Sequence, residues 1–228
     1  MSKKLKEIVG AELASRVADG EIIGVGTGTT VEVALRAIQR RVQQEGLRVS
    51  VVPTSYQSSW VCESIGLTVL SPALCSELSW GFDGADEVDE KLRLIKGRGG
   101  AMLHEKIIAA KCKKFVVIVG EDKLVKTLGE KCPIPVEVMP EALSIARTGL
   151  EKLGATSILQ RECVAVERTT PYYTQSGNLV LDVTFSQIPD SLEKDINAIP
   201  GVVENGLFFG YATEVLIGAD GGVRSLVP

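Results

Sequence analysis

The feature that most constrains this chain is a glycine-rich turn between a short apolar run and a helical pattern. In "EIIGVGTGTTVEVALRAIQRRVQ" (21–43), residues 21–26 read as a buried strand and "TGTT" (27–30) as a turn. Residues 31–43 read as a helix, with apolar positions at 31, 34, 35, 38 and 42 and Gly46 beyond them as a stop. A helix over 3–18, closed by Gly20, precedes this unit. A strand at "LRVSVVP", a short helix at "SYQSSWVCESIG" and a strand at "LTVL" follow it. The run "FVVIVG" (115–120) is almost continuously β-branched and suits the centre of a parallel sheet buried on both faces. Strand and helix in alternation imply right-handed βαβ units and a doubly wound, mostly parallel α/β sheet.

The rhythm changes after "CPIPVEVMP". A strand (134–139), a helix (141–153), strands at 155–160 and near 178–185, a helix (190–198) and a strand (202–209) spell β-α-β-β-α-β. That is a small ferredoxin-like, split βαβ α+β domain. "TTPYYTQSGN" (169–178) carries turn residues for the link between its middle strands. The last segment, "EVLIGADGGVRSLV", is expected to return to the main sheet. The expected division is 1–131 with 206–228 as the α/β domain, and 132–205 as the small one. A chain of 228 residues, 45% hydrophobic and 24% charged, has the material for both cores.

The same composition narrows function. A net charge of −4 argues against a nucleic-acid binder, which needs clustered Lys and Arg. Five cysteines, none in C-x-x-C spacing, read as reduced thiols, and the single histidine, His104, makes a zinc site an unpromising reading. No apolar run has bilayer-spanning length, and "MSKKLKEIVG" leads straight into an amphipathic helix without a leader pattern. The expectation is a cytoplasmic protein that engages no membrane.

Two motifs carry chemistry. "GVGTGTT" (24–30) sits where a strand hands over to a helix, so backbone N–H groups, the helix N-terminus and the hydroxyls of Thr27, Thr29 and Thr30 could all meet an anion. It fits neither the Walker loop nor the dinucleotide G-x-G-x-x-G, which favours a plain phosphate ester. The alternative is a tight turn with a threonine cap. The second motif, "GFDGADEVDEKLRLIKGRGGAMLHEKIIAA" (81–110), gathers Asp83, Asp86, Lys96 and Glu105. Asp83 and Asp86 flank Gly84-Ala85 in a turn, so both carboxylates can face one pocket, where like charges raise the pKa of one of them. Lys96 projects from a strand end, where α/β sites lie, and Glu105 falls in the first turn of a helix. Read singly, these are a turn aspartate, a partly solvated "DEVDE" face, a surface lysine and a helix-end acid.

Read together with "PTSYQ" (53–57), "EDKLV", "PIPVEV" and "INAIPGVVENGLF", these pieces resemble the ribose-5-phosphate isomerase type A family in order along nearly the whole chain. The resemblance implies aldose–ketose isomerisation of ribose 5-phosphate and ribulose 5-phosphate through an enediolate, a step of the non-oxidative pentose phosphate pathway, with no metal or organic cofactor. It implies Glu105 as the base moving a proton between C1 and C2, Asp83 as the acid that helps open the furanose, Asp86 as a hydroxyl-binding partner and Lys96 as the cation facing the enediolate. It assigns substrate binding to Lys6, Thr27, Gly28, Thr29, Thr30 and Lys123, chiefly for the phosphate, and to Gly84, Ala85, Gly97, Arg98 and Gly99. It also implies a homo-oligomer, dimer or tetramer. Two departures stand out. Arg98 occupies a position where members usually carry glycine, and Thr29 keeps a hydroxyl where the family's turn often has serine. Arg98 is expected to face solvent, its flanking glycines absorbing any unusual backbone geometry.

Overall fold

The protein is described here by a computed structural model covering residues 1–165 and 167–228. Its elements in chain order begin with α1 (Lys3–Ser15), β1 (Ile22–Val25), α2 (Thr29–Glu45), β2 (Ser50–Pro53), α3 (Tyr56–Ser64), β3 (Thr68–Val69) and β4 (Trp80–Asp83). Next come β5 (Glu87–Val88), β6 (Leu94–Ile95), α4 (Met102–Lys111), β7 (Phe115–Gly120), β8 (Ile134–Val138), α5 (Leu143–Lys152) and β9 (Ala155–Gln160). The chain ends with β10 (Glu162–Ala165), β11 (Arg168–Pro171), β12 (Leu179–Phe185), α6 (Leu192–Asn197), β13 (Val202–Asn205), β14 (Leu207–Phe208), β15 (Glu214–Ala219) and β16 (Gly222–Leu226). They fall into two units. The first holds Met1–Ala85, His104–Leu124 and Gly210–Pro228; the second holds Asp86–Leu103 and Val125–Phe209. Residues 86–103, 125–131 and 206–209, written above with the α/β domain, thus have most of their neighbours in the second unit.

The first unit is built on a seven-stranded sheet of order β16-β15-β7-β4-β1-β2-β3. All neighbours are parallel except β15 and β16, a hairpin at the edge. The last segment does return to the main sheet, as its apolar pattern implies. From β1 the chain winds through β2 to β3 on one side, and through β4 and β7 to β15 on the other. The direction reverses between β1 and β4, and in open α/β sheets ligands bind outside the carboxyl ends at such a point. Strand β7 is buried along its whole length, which is why its sequence needs no polar alternation. On one face α1 and α2 cover the sheet through Leu13, Leu35 and Ile38 against Ile23, Phe82 and Ile118. On the other, α4 comes close because β1 and β4 offer glycines. A Cβ on Gly24 would stand 2.6 Å from Ile108 Cγ2, and one on Gly81 2.5 Å from Cys112 Sγ.

The second unit carries an antiparallel four-stranded sheet of order β13-β8-β12-β9, with α5 linking β8 to β9 and α6 linking β12 to β13. This is the split βαβ arrangement expected from the pattern. Its core joins Val136, Val138, Leu181 and Val183 to Ala146, Leu150, Leu192 and Ile196. A small antiparallel sheet, β14-β6-β5, and the hairpin β10–β11 complete the unit. The hairpin escapes a sequence reading because its strands are only four residues each and β11 runs into the stretch read as a connection (169–178), so the apolar trio Cys163, Val164 and Ala165 of β10 reads as part of that link.

The "DEVDE" stretch is partly solvated, as expected, though less than its charge suggests: Glu90 is exposed and Asp86 half-buried, whereas Glu87 is fully buried and Asp89 is 4% exposed. Glu87 accepts backbone N–H bonds from Gly129, Lys131 and Cys132 at 2.5–2.7 Å. Asp89 accepts from the amides of Lys91 and Arg93 and pairs with the Arg93 guanidinium at 2.7 Å. Carboxylates so loaded with donors can be buried.

Candidate active site

In the first unit the switch point collects the site residues expected from the strand–helix turn. Strand β1 ends at Val25, and the chain turns through Gly26, Thr27 and Gly28 into α2. Gly28 has φ 118° and ψ 170°, a conformation that glycine adopts readily and residues with a Cβ do not. Gly26 answers a different demand, because a Cβ there would lie 2.6 Å from Asp83 Cβ. The missing side chain lets the turn close over Asp83, the fully buried last residue of β4. Asp83 Oδ1 then accepts the backbone N–H of Thr27 at 3.1 Å and of Gly84 at 2.7 Å.

Thr27 and Thr29, which the sequence suggests as paired phosphate donors, have different partners. Thr27 Oγ1 lies 2.9, 2.7 and 3.0 Å from the hydroxyls of Thr54, Ser55 and Ser58. Ser58 Oγ donates onward to the Gly26 carbonyl at 2.6 Å. Thr27 therefore ties the turn to the start of α3, a role that spacing within "TGTT" does not reveal. Thr29 Oγ1 accepts from Lys6 Nζ at 2.7 Å, so α1 brings a cation to the N-terminus of α2. Thr30 follows in the first turn of α2, and Lys123 ends a 3-10 turn (Glu121–Lys123) just after β7, on the same carboxyl edge of the sheet. Glu105 lies in the first turn of α4, 5% exposed and one turn before the docked Ile108.

The second unit holds the rest. Lys96 follows β6 and is 3% exposed, with its Nζ 5.6 Å from the centroid of the Phe208 ring. Its amide donates to the Gly206 carbonyl at 2.8 Å. The loop then turns: Gly97 has φ 91°, Gly100 has φ 72°, and the Gly100 amide donates to the Gly97 carbonyl at 2.9 Å. Arg98 is exposed and lies outside the left-handed region, so the glycines take the unusual geometry and the arginine is unstrained. Its backbone N–H donates to Asp86 Oδ2 at 3.1 Å. Asp86 and Arg98 line a cleft of about 370 Å³ with Lys131, Cys132, Arg161 and Asp182.

Sequence reading missed the hydroxyl cluster Thr54, Ser55 and Ser58, although "PTSYQ" (53–57) holds two of its members and Ser58 is the next residue. It also missed Arg161 and Tyr172, whose side chains hold the 97–99 loop from far along the chain, and Asp182, which holds Arg161. Among the described residues no group of three or more His, Cys, Asp or Glu could hold a metal ion, and no helix is long and apolar enough to cross a membrane.

Comparison with known proteins gives one answer. The family model for ribose 5-phosphate isomerase A (phosphoriboisomerase A) matches residues 50–222. A ribose-5-phosphate isomerase A of Oceanobacillus iheyensis is 42% identical over 217 residues, 94% of each chain. One from Methanothermobacter thermautotrophicus is 41% identical over 224 residues, 97% of each. Among solved structures, ribose 5-phosphate isomerase A of Methanocaldococcus jannaschii superposes with a TM-score of 0.93 at 40% identity, covering both chains fully. A D-ribose-5-phosphate isomerase in complex with phospho-erythronic acid gives 0.92 at 34% identity, again covering both chains fully.

Proposed function

Because the chain belongs to the ribose 5-phosphate isomerase A family, we propose that it interconverts D-ribose 5-phosphate and D-ribulose 5-phosphate through an enediolate, as a step of the pentose phosphate pathway. One observation carries the assignment of roles within it. Six ionisable side chains of the 81–110 motif are at most 5% exposed. Glu87 and Asp89 are held by backbone amides and Arg93, and Lys106 lies beside the Tyr211 ring, while Asp83, Lys96 and Glu105, 0%, 3% and 5% exposed, stand where the family resemblance puts the chemistry. Such groups are seldom buried to this degree, and removing them from water is costly. Chemistry on a sugar gives that burial a use.

Asp83 serves the furanose oxygens as the ring opens to the free aldehyde. Glu105 takes the proton from C2. The electron pair of that C–H bond forms the C1–C2 double bond, and the carbonyl pair moves onto O1. The ammonium of Lys96 meets this developing oxyanion, a type of contact worth about a hundredfold or more in rate. Glu105 returns its proton to C1 while the O2 proton is released and one is gained at O1, so no oxidant or reductant is consumed. Asp86 takes a sugar hydroxyl. Lys6, Thr29 and Thr30 at the α2 terminus, with Lys123 and the Gly28 turn, hold the phosphate, and Thr27 shapes that turn. Gly84, Ala85, Gly97, Arg98 and Gly99 form backbone walls for the sugar. The relative solved with phospho-erythronic acid, a phosphorylated sugar acid, fits this division of a phosphate handle from a reacting end. The same reading makes the protein a cytoplasmic homo-oligomer, dimer or tetramer.

The test is turnover of ribose 5-phosphate by the purified protein in excess chelator, beside Glu105→Gln. The parent should be active without added metal. The variant, which keeps shape and loses basicity, should lose about a hundredfold or more in kcat with a smaller change in KM. Chelator-sensitive activity restored by a divalent ion would remove the metal-free mechanism. A variant within a few-fold of the parent would return Glu105 to a helix-end acid.

A further inference from the structure

Lys96 and Asp86 owe their backbone placement to a loop that is soft by composition. Three of the four residues after Lys96 are glycine, and glycine loses the most conformational freedom on ordering. On its N-terminal side the loop is secured by sheet pairing, with the Asp86 amide on the Ile95 carbonyl and the Lys96 amide on that of Gly206, each at 2.8 Å. On its C-terminal side three successive carbonyls are held by side chains that the proposed chemistry does not use. Arg161 Nη1 donates to the carbonyls of Gly97 at 3.1 Å and Arg98 at 2.9 Å. Tyr172 Oη donates to that of Gly99 at 2.8 Å.

Arg161 is itself fixed. It follows β9, its amide donates to the Val180 carbonyl at 2.8 Å, and its carbonyl accepts the Tyr172 amide at 2.9 Å. Asp182, on β12, accepts from Arg161 Nε at 2.9 Å and from Nη2 as well, a two-point grip that fixes the plane of the guanidinium. The Tyr172 ring lies 5.8 Å from the guanidinium carbon. A Cβ on Gly100 would strike that ring, so the tyrosine and the glycine are fitted to one another.

We propose that Arg161, oriented by Asp182 and seconded by Tyr172, is a positioning residue for the isomerisation, setting the 96–99 loop so that the Lys96 ammonium and the Asp86 carboxylate are presented together. Both links run through the peptide between Gly97 and Arg98, one residue after Lys96: its carbonyl accepts from Arg161 and its N–H donates to Asp86. The same guanidinium holds the next carbonyl, that of Arg98. A guanidinium suits this work because its fork reaches two carbonyls and a carboxylate at once, which an ammonium on a flexible stem does not do. A displacement of about 1 Å in a charged group can cost on the order of a hundredfold in rate, so a loop left to its glycines would be expensive to catalysis while remaining folded.

This inference rests on the reading of Lys96 given above, so the experiment carries its own control. Steady-state kinetics on ribose 5-phosphate are measured for the full-length parent, Lys96→Ala, Arg161→Ala, Arg161→Lys and Tyr172→Phe, with thermal melting of each. Arg161→Ala should lose about ten- to a hundredfold in kcat with KM within about threefold. Arg161→Lys should recover only part of the loss, and Tyr172→Phe should lose a few-fold. Free guanidinium at millimolar concentration should raise kcat of Arg161→Ala and leave the parent unchanged, which a merely structural residue would not show. Arg161→Ala within twofold of parental kcat, beside an inactive Lys96→Ala, overturns the inference alone. Should Arg161→Ala fail to fold, Arg161→Lys decides: a kcat loss at parental melting temperature supports the proposal, and parental kcat overturns it. Full activity of Lys96→Ala defeats the reading of Lys96, and this inference falls with it.

Discussion

Replacing Gly26 by alanine tests the close packing of the threonine turn on Asp83. The added methyl would sit 2.6 Å from Asp83 Cβ and nearer still to its carboxyl group. Carbon atoms prefer about 3.5–4.0 Å, so the overlap is roughly 1 Å. Turning the aspartate about χ1 leaves its Cβ in place, so the turn or the end of β4 must move. Overpacking of this kind costs about 1–3 kcal/mol. Losing one of the two N–H bonds from Thr27 and Gly84 to the charged Oδ1 adds about 1.5–3 kcal/mol. The sum, about 2.5–6 kcal/mol, lowers the melting temperature by roughly 5–25 °C in a chain of this size, against the about 5–15 kcal/mol that native proteins usually have to lose. The displaced Asp83 should lower kcat by on the order of a hundredfold. Gly28→Ala is the control. Nothing lies within 4 Å of its Cβ position, but its φ of 118° makes alanine cost about 1–3 kcal/mol. It deforms the phosphate turn without touching Asp83, so it should raise KM and spare kcat. Calorimetry and steady-state kinetics read both. The reasoning fails if Gly26→Ala keeps kcat within threefold and melts within 2 °C of the parent (roughly 1 kcal/mol), or if Gly28→Ala loses as much kcat as Gly26→Ala.

Three further outcomes are expected. Lys6→Met and Thr29→Val should each raise KM for ribose 5-phosphate several-fold, and the double variant by less than the product, because the two side chains share one 2.7 Å hydrogen bond; full additivity in a double-mutant cycle would separate them. Arg98→Gly should leave KM nearly unchanged, since the side chain is exposed, and should lower stability by about 0.5–1 kcal/mol, since residue 98 is outside the glycine-favouring region and glycine there only adds unfolded-state freedom; a several-fold rise in KM that shrinks with salt would make Arg98 part of the binding site. Arg16 donates to Glu214 at 2.7 Å and holds its carboxyl below the ordinary value through that hydrogen bond. A depressed carboxylate contributes stability that is present at neutral pH and lost as pH falls through its folded-state value. Arg16→Met should therefore cost about 0.5–1 kcal/mol at pH 7 and progressively less in acid, and equal costs at pH 7 and pH 3 in denaturant titrations would refute the coupling.

Much of the molecule was written in local patterns. The β-branched run 115–120 became the fully buried β7 because a strand covered on both faces has no need of polar alternation. The β-α-β-β-α-β order of the second unit followed from periodicity and turn residues. Glu105 fell in the first turn of its helix as read, and Lys96 at a strand end. These features depend on neighbours a few residues apart, and short-range sterics and burial dictate them. The β10–β11 hairpin was not legible because its strands are only four residues each, and the burial of Glu87 was not because its cause lies elsewhere in the chain: the amides of residues 129, 131 and 132 converge on it.

The sequence by itself determined the alternation of strands and helices, the glycine turn at the end of β1 and the identity of the ionisable residues in the 81–110 motif. Only the tertiary structure decided what those residues touch. The Thr27 hydroxyl sits among those of Thr54, Ser55 and Ser58, Lys6 came 23 positions along the chain to reach Thr29, and Arg161 came 64 to reach the Gly97 carbonyl. The physical reason is that a hydrogen bond needs its two atoms within about 3 Å, and for residues so far apart in sequence that distance is set by how whole sheets and helices pack.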